Sequence, residues 1–468
     1  MAVQFNDSLL ETDITSLSVA YRNKQVSPTE MTQKMLERIA SKDKELNTYI
    51  TVTEEDALNQ AGQAEEEIAS GIIRGPLHGV PIALKDLIFT KNARTTMGSE
   101  IFKEYIPSYH ATVVEKLRKA GAVILGKLNT HQFAYGTTGD RSFFGPVKNA
   151  HDLAKISGGS SSGSGSAVAA SLCYAALGTD TGGSIRIPSS FNGIVGMKPT
   201  FGRVSKYGVF PLCWTMDTVG PMTKTVQDNA ILLNVLSGND ENDPYSVKMD
   251  NADFTTFLNK DINGMTIAVP KSSFFLAVDE EINQCLRVAL DTFQKLGVQV
   301  KSIEIPDMDK IIEAFRTILK CEAYTVHSER LQEYPDQWDE EVKVRLLTGA
   351  AINAREYITA QQVKQKAMME FRKVFSQTDV LIVPTVPILP VNIDEREIII
   401  GDSIVHISAV LNKFTGPFNL LGLPSLSMPC GTSTTGLPIG LQLVGNWFDE
   451  ATIYKYASAL EVNTTSFN

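Results

Sequence analysis

The chain of 468 residues is long enough for one large α/β domain or two to three ordinary ones, and its 43% hydrophobic and 21% charged residues are those of a globular protein with a large core. The formal net charge of −10 argues against wide nucleic-acid contact, which needs clustered Lys and Arg. No apolar run reaches the roughly 18 residues of a membrane helix, and the start, MAVQFNDSLLETD, lacks the basic-then-apolar pattern of a signal peptide. Cys173, Cys213, Cys285, Cys321 and Cys430 are scattered without a CxxC pair, so neither a disulfide framework nor a cysteine-built zinc site is expected. The default expectation is a cytoplasmic protein.

Residues 1–70 read as helical. Ser27-Pro28-Thr29-Glu30 supplies an N-cap, a proline at the first helical position and a capping-box glutamate. Met31, Met35, Leu36 and Ile39 follow at helical spacing. Tyr49–Val52 is a short apolar-rich run, and a helix from about Glu54 to Ser70 sets Ala57, Ala61, Ala64 and Ile68 on one face. This region reads as packing without chemistry.

Gly75–Asp86, GPLHGVPIALKD, is turn chemistry leading into a strand, Val80–Leu84, with Lys85 directly at its end. Most lysines are solvated surface charges; the apolar residues before this one instead make a desolvated amine plausible. A helix (Thr112–Ala120) and a strand (Ala122–Leu125) follow, then GKLNTHQFAYGTTGDRSFFGP. That segment reads either as a pocket wall, with Tyr135, Gly136 and Thr137 as substrate-binding candidates, or as a surface loop.

Ile156–Pro188, ISGGSSSGSGSAVAASLCYAALGTDTGGSIRIP, holds two Gly/Ser clusters bracketing a small-residue apolar run, Ala167–Leu177, that reads as a helix. Serines flanked by glycines place hydroxyls on tight turns where backbone N–H groups can face a ligand. A linker has no reason for such an arrangement.

After a turn-rich region to Asp228, helix–strand alternation returns. It comprises Ile267–Val269, a helix with Ile282, Leu286, Ala289, Phe293 and Leu296 on one face, and Val298–Ile305. Long helical patterns fill 307–376. The strand Val380–Val383 ends at Pro384, two late strands cover Leu426–Pro429 and Ile439–Val444, and Asp449 caps a last helix. The alternation predicts an α/β/α architecture in one domain over 1–468: a helical segment (1–70), a central part that carries the glycine–serine clusters (75–230) and the remainder of the sheet (260–468).

A serine hydroxyl needs a base to take its proton and donors to stabilise the oxyanion it creates. Gly159-Ser160-Ser161-Ser162-Gly163 matches the G-x-S-x-G elbow centred on Ser161, but only His327 and His406 lie downstream, neither in a recognisable setting. The elbow also expects a strand before it, where His151–Lys155 is polar and turn-like. Cys321, between Lys320 and Glu322, reads as a buried, inert thiol.

Lysine as base is the third scheme, and here the residues carry a resemblance. GGSSSGSGSA, then GTDTGGSIRIPSSFNGIVGMKPTFGRVS, with HGVPIALKD upstream, closely resembles the amidase signature family, from about residue 10 to the late PIGLQLVG strand. The resemblance implies a large mixed central β-sheet flanked by helices and a Ser–cis-Ser–Lys triad that hydrolyses amides, with no cofactor or metal. The motifs put the nucleophile at Ser184, the relay serine at Ser160, behind a cis peptide, and the base at Lys85. The backbone N–H groups of Thr181, Gly182, Gly183 and Ser184 fall at the oxyanion hole. Asp180 and Arg186 are expected to pair and hold the Ser184 turn, with Ser161 and Ser162 as hydrogen-bonding loop residues.

Within the family, glutamyl-tRNA amidotransferase contains a glutamine-hydrolysing subunit whose glutamine-binding arginine falls on Arg345 and whose glutamine-binding aspartate falls on Asn412. A glutamine site needs both an anion and a cation, so half of the clamp is lost. GTTGDRSFFGP also resembles the stand-alone amidases more than it resembles that enzyme. The expectation is a free-standing hydrolase of small amides or carbamates, urethanase-like activity included, with Asn412 in the substrate pocket. The alternatives are an inactive binding subunit and the glutamine-hydrolysing one. No nucleic acid or membrane partner is expected, and homo-oligomerisation is left open.

Overall fold

The computed structural model describes residues 6–249, 252–275, 278–400 and 403–464. Short apolar stretches form its strands: β1 (Tyr49–Val52), β2 (Pro81–Lys85), β3 (Val123–Leu128), β4 (Ala175–Asp180), β5 (Val195–Lys198), β6 (Thr218–Thr223), β7 (Thr266–Pro270), β8 (Gln299–Ile303), β9 (Val380–Pro384), β10 (Glu397–Ile400), β11 (Ser403–His406), β12 (Ser425–Thr432) and β13 (Pro438–Gly445). All but β10 and β11 join one 11-stranded sheet in the order β1-β3-β2-β4-β6-β5-β12-β13-β9-β7-β8. The sheet is mixed: β2 runs parallel to both β3 and β4, and β4 antiparallel to β6. β10 and β11 pair separately as a hairpin.

Helices cover both faces, and the strands record it. Successive side chains of a strand point to opposite faces. Along β9, Val380 and Ile382 enter one apolar cluster while Leu381 and Val383 enter another. The first cluster takes the buried faces of the helices Pro28–Leu46, Val226–Leu236, Glu280–Lys295 and Glu450–Asn463. The second takes those of Met308–Glu333, Glu340–Leu347 and Ala354–Phe375. Burial on both faces is why the strands read as continuous apolar runs rather than alternating ones.

Local chemistry sets the helix ends much as the sequence suggests. Ser27 Oγ accepts the Glu30 N–H (3.2 Å) with Pro28 in the first turn, though Glu30 returns no bond to Ser27. Asp449 accepts the Thr452 N–H (3.3 Å) to open the last helix.

Two expectations need correction. Ala167–Leu177 is not one helix: the helix spans Ser162–Ala169, and Ala175–Leu177 belong to β4 between β2 and β6. A buried small-residue run has the same apolar pattern in either state, so periodicity cannot separate them. The turn-rich run to Asp228 contains strand β6 and the start of the helix Val226–Leu236, and β5 precedes it. Glycine and proline inside GIVGMK and TVGPMT disguise these strands.

Phe293 is fully buried where its helix meets the sheet. Phe293→Ala is expected to lower unfolding free energy by about 3–5 kcal/mol, read from the denaturant midpoint.

Candidate active site

Parallel pairing of β2 and β4, with Leu84 opposite Leu177, brings the C-terminal ends of both strands together. Lys85 closes β2 and Asp180 closes β4, and both side chains are wholly buried. Lys85 Nζ lies 2.7 Å from Ser160 Oγ and 2.8 Å from Thr179 Oγ1. Burial drives the amine down to about 7, against the opposing pull of Asp180 and Asp217. A substantial fraction of Lys85 is therefore an uncharged base near neutral pH.

Ser160 follows a cis Gly159–Ser160 peptide. Its carbonyl accepts the Thr130 hydroxyl (2.9 Å) and the His131 N–H (3.2 Å), and the Gly159 N–H donates to the Thr137 carbonyl (2.7 Å). Ser161 differs: its Oγ donates to the Thr179 carbonyl (3.1 Å) and accepts the Thr179 N–H (3.3 Å). That hydroxyl is spent on joining the serine loop to β4, which removes it as an elbow nucleophile. The Ser162 hydroxyl, expected to bond within the loop, has no partner among the described residues. His327 is packed among Phe133, Phe210 and Trp338, and His406 caps a short turn through Ser408.

Ser184 lies in the second glycine turn. The Ser161 N–H donates to its carbonyl (3.2 Å), so the two serine turns touch. No hydrogen bond links the Ser160 and Ser184 hydroxyls among the described residues. Such contacts are often loose before a substrate is bound.

Of the backbone donors expected around an oxyanion, the Gly183 N–H is already given to Asp180 Oδ1 (2.7 Å). Those of Thr181, Gly182 and Ser184 meet no acceptor among the described residues. Gly183 is held at φ +125°, and a Cβ there would collide with Thr415 Oγ1. Glycine is needed here for both backbone and space.

The turn is held by the pair expected from the sequence. Asp180 receives Arg186 through Nε (3.0 Å) and Nη2 (3.0 Å), both side chains fully buried. Arg186 also donates to Asn419 (2.6 Å), Gln442 and the Thr415 carbonyl (3.2 Å). Burial alone would raise Asp180; the guanidinium overrides it and holds the carboxylate well below its ordinary range.

A cavity of about 330 Å³ opens at Ser184, with Thr181, Gly182, Tyr135, Gly136, Thr137 and Asn412 in its wall. The segment read as either pocket wall or surface loop is both: Ala134–Thr137 line the cavity, and Phe143 further along is exposed. Phe133 and Ala134 lead into it with φ of 52° and 59°, tied by Phe133 N–H to Met97 C=O and Ala134 N–H to His131 C=O, each 2.8 Å. Thr137 Oγ1 and Asn412 Oδ1 are buried without partners among the described residues. Arg345 also lines the cavity, but its guanidinium already holds Glu341 (2.8 Å), the Tyr135 carbonyl and the Tyr135 ring.

Sequence reasoning gives no role to Thr179 or Asp217. Asp217 accepts the Thr181 hydroxyl (2.6 Å) and the N–H groups of Leu212 and Cys213 (2.9 Å each). Thr179 stands inside the quoted motif, while Asp217 lies in an undistinguished turn with no signal of its own. No group of three His, Cys, Asp or Glu among the described residues could hold a metal, and no helix among them is long and apolar enough to cross a membrane.

Arg186→Met strands a buried carboxylate and is expected to destabilise the fold by roughly 3–5 kcal/mol, measured by chemical unfolding. Gly183→Ala is expected to leave the chain folded by circular dichroism yet lower hydrolysis by displacing the Ser184 turn.

Known proteins resemble the chain along nearly its whole length. Residues 30–454 match the family described as Amidase. The A-type subunit of the glutamyl-tRNA(Gln) amidotransferase of Geobacter metallireducens is 38% identical over 97% of this chain and 98% of its own length. Among solved structures, one from a vestigial protein complex bearing on the origins of an s-triazine catabolic enzyme superposes with a TM-score of 0.94 at 28% identity, covering 97% of this chain and 99% of that one. A bacterial aryl acylamidase of the amidase signature family gives 0.89 at 26% identity, covering 97% and 96%. A match across nearly the whole chain, on the sheet that carries the glycine–serine turns, makes this protein a member of the amidase signature family of hydrolases.

Proposed function

We propose that the chain is a free-standing hydrolase of small amides or carbamates in which Ser184 is the nucleophile, Ser160 the proton relay and Lys85 the base. The buried contact between Lys85 Nζ and Ser160 Oγ, with the amine brought down to about 7, carries this reading. As Ser184 Oγ attacks the carbonyl carbon, its proton passes to Ser160, whose own proton passes to Lys85. The negative charge forming on the carbonyl oxygen meets the N–H groups of Thr181, Gly182 and Ser184. Collapse of the tetrahedral adduct breaks the C–N bond, and the proton returns through Ser160 to the departing nitrogen. Water, activated by the same relay, then releases the acid and regenerates Ser184.

Two features support a free-standing enzyme of small substrates. The cavity volume of about 330 Å³ is at the lower end for ligand pockets. Asn412 offers a neutral amide where binding an α-ammonium calls for a carboxylate. Urethanase-like cleavage of a carbamate falls within the same chemistry.

A second reading, the glutamine-hydrolysing component of a glutamyl-tRNA(Gln) amidotransferase, is favoured by the 38% identity to the Geobacter metallireducens protein. An ammonia- and amine-release assay on the purified chain separates them. Hydrolysis of simple amides or ethyl carbamate by the chain alone supports the first; glutamine hydrolysis that requires partner subunits and tRNA supports the second.

Ser184→Ala is expected to abolish turnover, and Lys85→Ala to lower kcat/KM by roughly 10²–10⁴-fold with the fold retained. Full activity in either variant overturns the assignment. Because Lys85 works as the neutral amine, kcat/KM in the wild type is expected to rise with pH through an apparent value near 7 and then level off. A profile flat from pH 5 to 9 refutes lysine as the base.

A further inference from the structure

The helix Met308–Glu333 presents Arg316 and Lys320, one turn apart, to the cavity that contains Ser184. With Arg345 they are its lining cations, and no aspartate or glutamate among the described residues lines it. The three cations differ in what they already hold. Arg345 is paired with Glu341 at 2.8 Å, a carboxylate it shares with Arg396 and Arg141. Arg316 donates only to the Ala409 carbonyl (2.7 Å), and Lys320 makes no side-chain hydrogen bond or ion pair among the described residues. Burial pushes the Arg316 guanidinium below its ordinary value with no carboxylate offsetting it, and the ionised group it perturbs nearby is another cation, Lys413.

Arg316 and Lys320, four residues apart on one helix, therefore bring two like charges to one cavity without a carboxylate among the described residues of its wall. A neutral acyl group gains nothing from the pair, and a substrate bearing an ammonium meets repulsion. An anion neutralises both and forms charge-assisted hydrogen bonds, which are stronger than neutral ones.

We propose that the acyl part of the substrate carries a carboxylate, received by Arg316 and Lys320. The substrate class is then the monoamide or carbamate analogue of a short dicarboxylic acid. This rests on the reading of the cavity as the acyl site of an amide hydrolase, and it deepens that reading. It also disfavours glutamine, whose α-ammonium would lie among cations without an acidic partner.

Succinamic acid and butyramide are matched probes, since a carboxylate in one replaces a methyl in the other. Calorimetry on the full-length Ser184→Ala variant, which does not turn substrate over, is expected to show succinamate binding at least tenfold more tightly than butyramide. The preference should shrink as NaCl rises. Adding Lys320→Glu, at a half-exposed site without hydrogen bonds, is expected to cut the ratio below about twofold, and Arg316→Gln to lower it independently. Equal binding of the two probes overturns the proposal, as does a preference that survives Lys320→Glu. The wild-type kcat/KM ratio should follow the binding ratio. If the wild type hydrolyses no amide or carbamate, the hydrolase reading fails, while the binding measurement still decides whether the cavity selects a carboxylate.

Discussion

An amine kept away from water is the condition on which the site rests. An ammonium ion in this position would be strongly hydrated at the surface, and only complete enclosure brings Lys85 down to about 7. The enclosure comes from the strand around it, since Pro81 to Leu84 are as buried as the lysine they precede. Two polar neighbours, Ser160 and Thr179, let the uncharged amine sit there with its hydrogen bonds satisfied. Lys127 and Lys198 are also wholly buried, at about 8 and about 7. Their amines are taken up differently. Lys127 binds the Ile88 carbonyl and Thr95 Oγ1, and Lys198 donates to the Pro199 carbonyl (2.9 Å). Burial alone therefore does not distinguish Lys85. Its serine neighbour does.

The opposite electrostatic solution holds the Ser184 turn. Asp180 remains ionised in the interior because Arg186 meets it with two parallel hydrogen bonds and Asn419 adds a third donor at 2.8 Å. The carboxylate also takes the N–H groups of Gly183 and Ile185. One side chain thereby fixes the backbone on both sides of Ser184. The cost is one donor: the Gly183 N–H serves the scaffold, while its neighbours remain open toward the cavity. Asp217 performs a related task for Thr181, so each end of the turn is anchored by an acid.

Chemistry is easier to read from the chain than geometry. The glycine–serine clusters and the lysine at a strand end are local patterns, and the structure brings Lys85 and Ser160 into contact. The Asp180–Arg186 pair lies within a few residues and is equally accessible. By contrast, Asn419 and Gln442 reach Arg186 from segments more than 200 residues away, and no local pattern marks them. The strand β6 escapes a local reading because Gly220 and Pro221 argue against a strand in isolation, while its neighbours β4 and β5 impose one. The small-residue run before β4 reads as a single helix because alanines pack into either state. Gly183 reads as an open donor because the carboxylate that captures it becomes visible only when the turn is folded.

The long reach of Arg186 has a consequence for how the protein comes into being. Its partner Gln442 is 256 positions later in the chain, on the strand pairing β12 with β9. While the ribosome is still making the intervening segment, a guanidinium destined for a dry interior has Asp180 but lacks its three other partners, Thr415, Asn419 and Gln442. The contacts that complete the hold on the Ser184 turn are therefore among the most distant in sequence, and they cannot form before the C-terminal hairpin exists. A chain released early would carry both serine turns and the lysine, yet lack the strand that locks them.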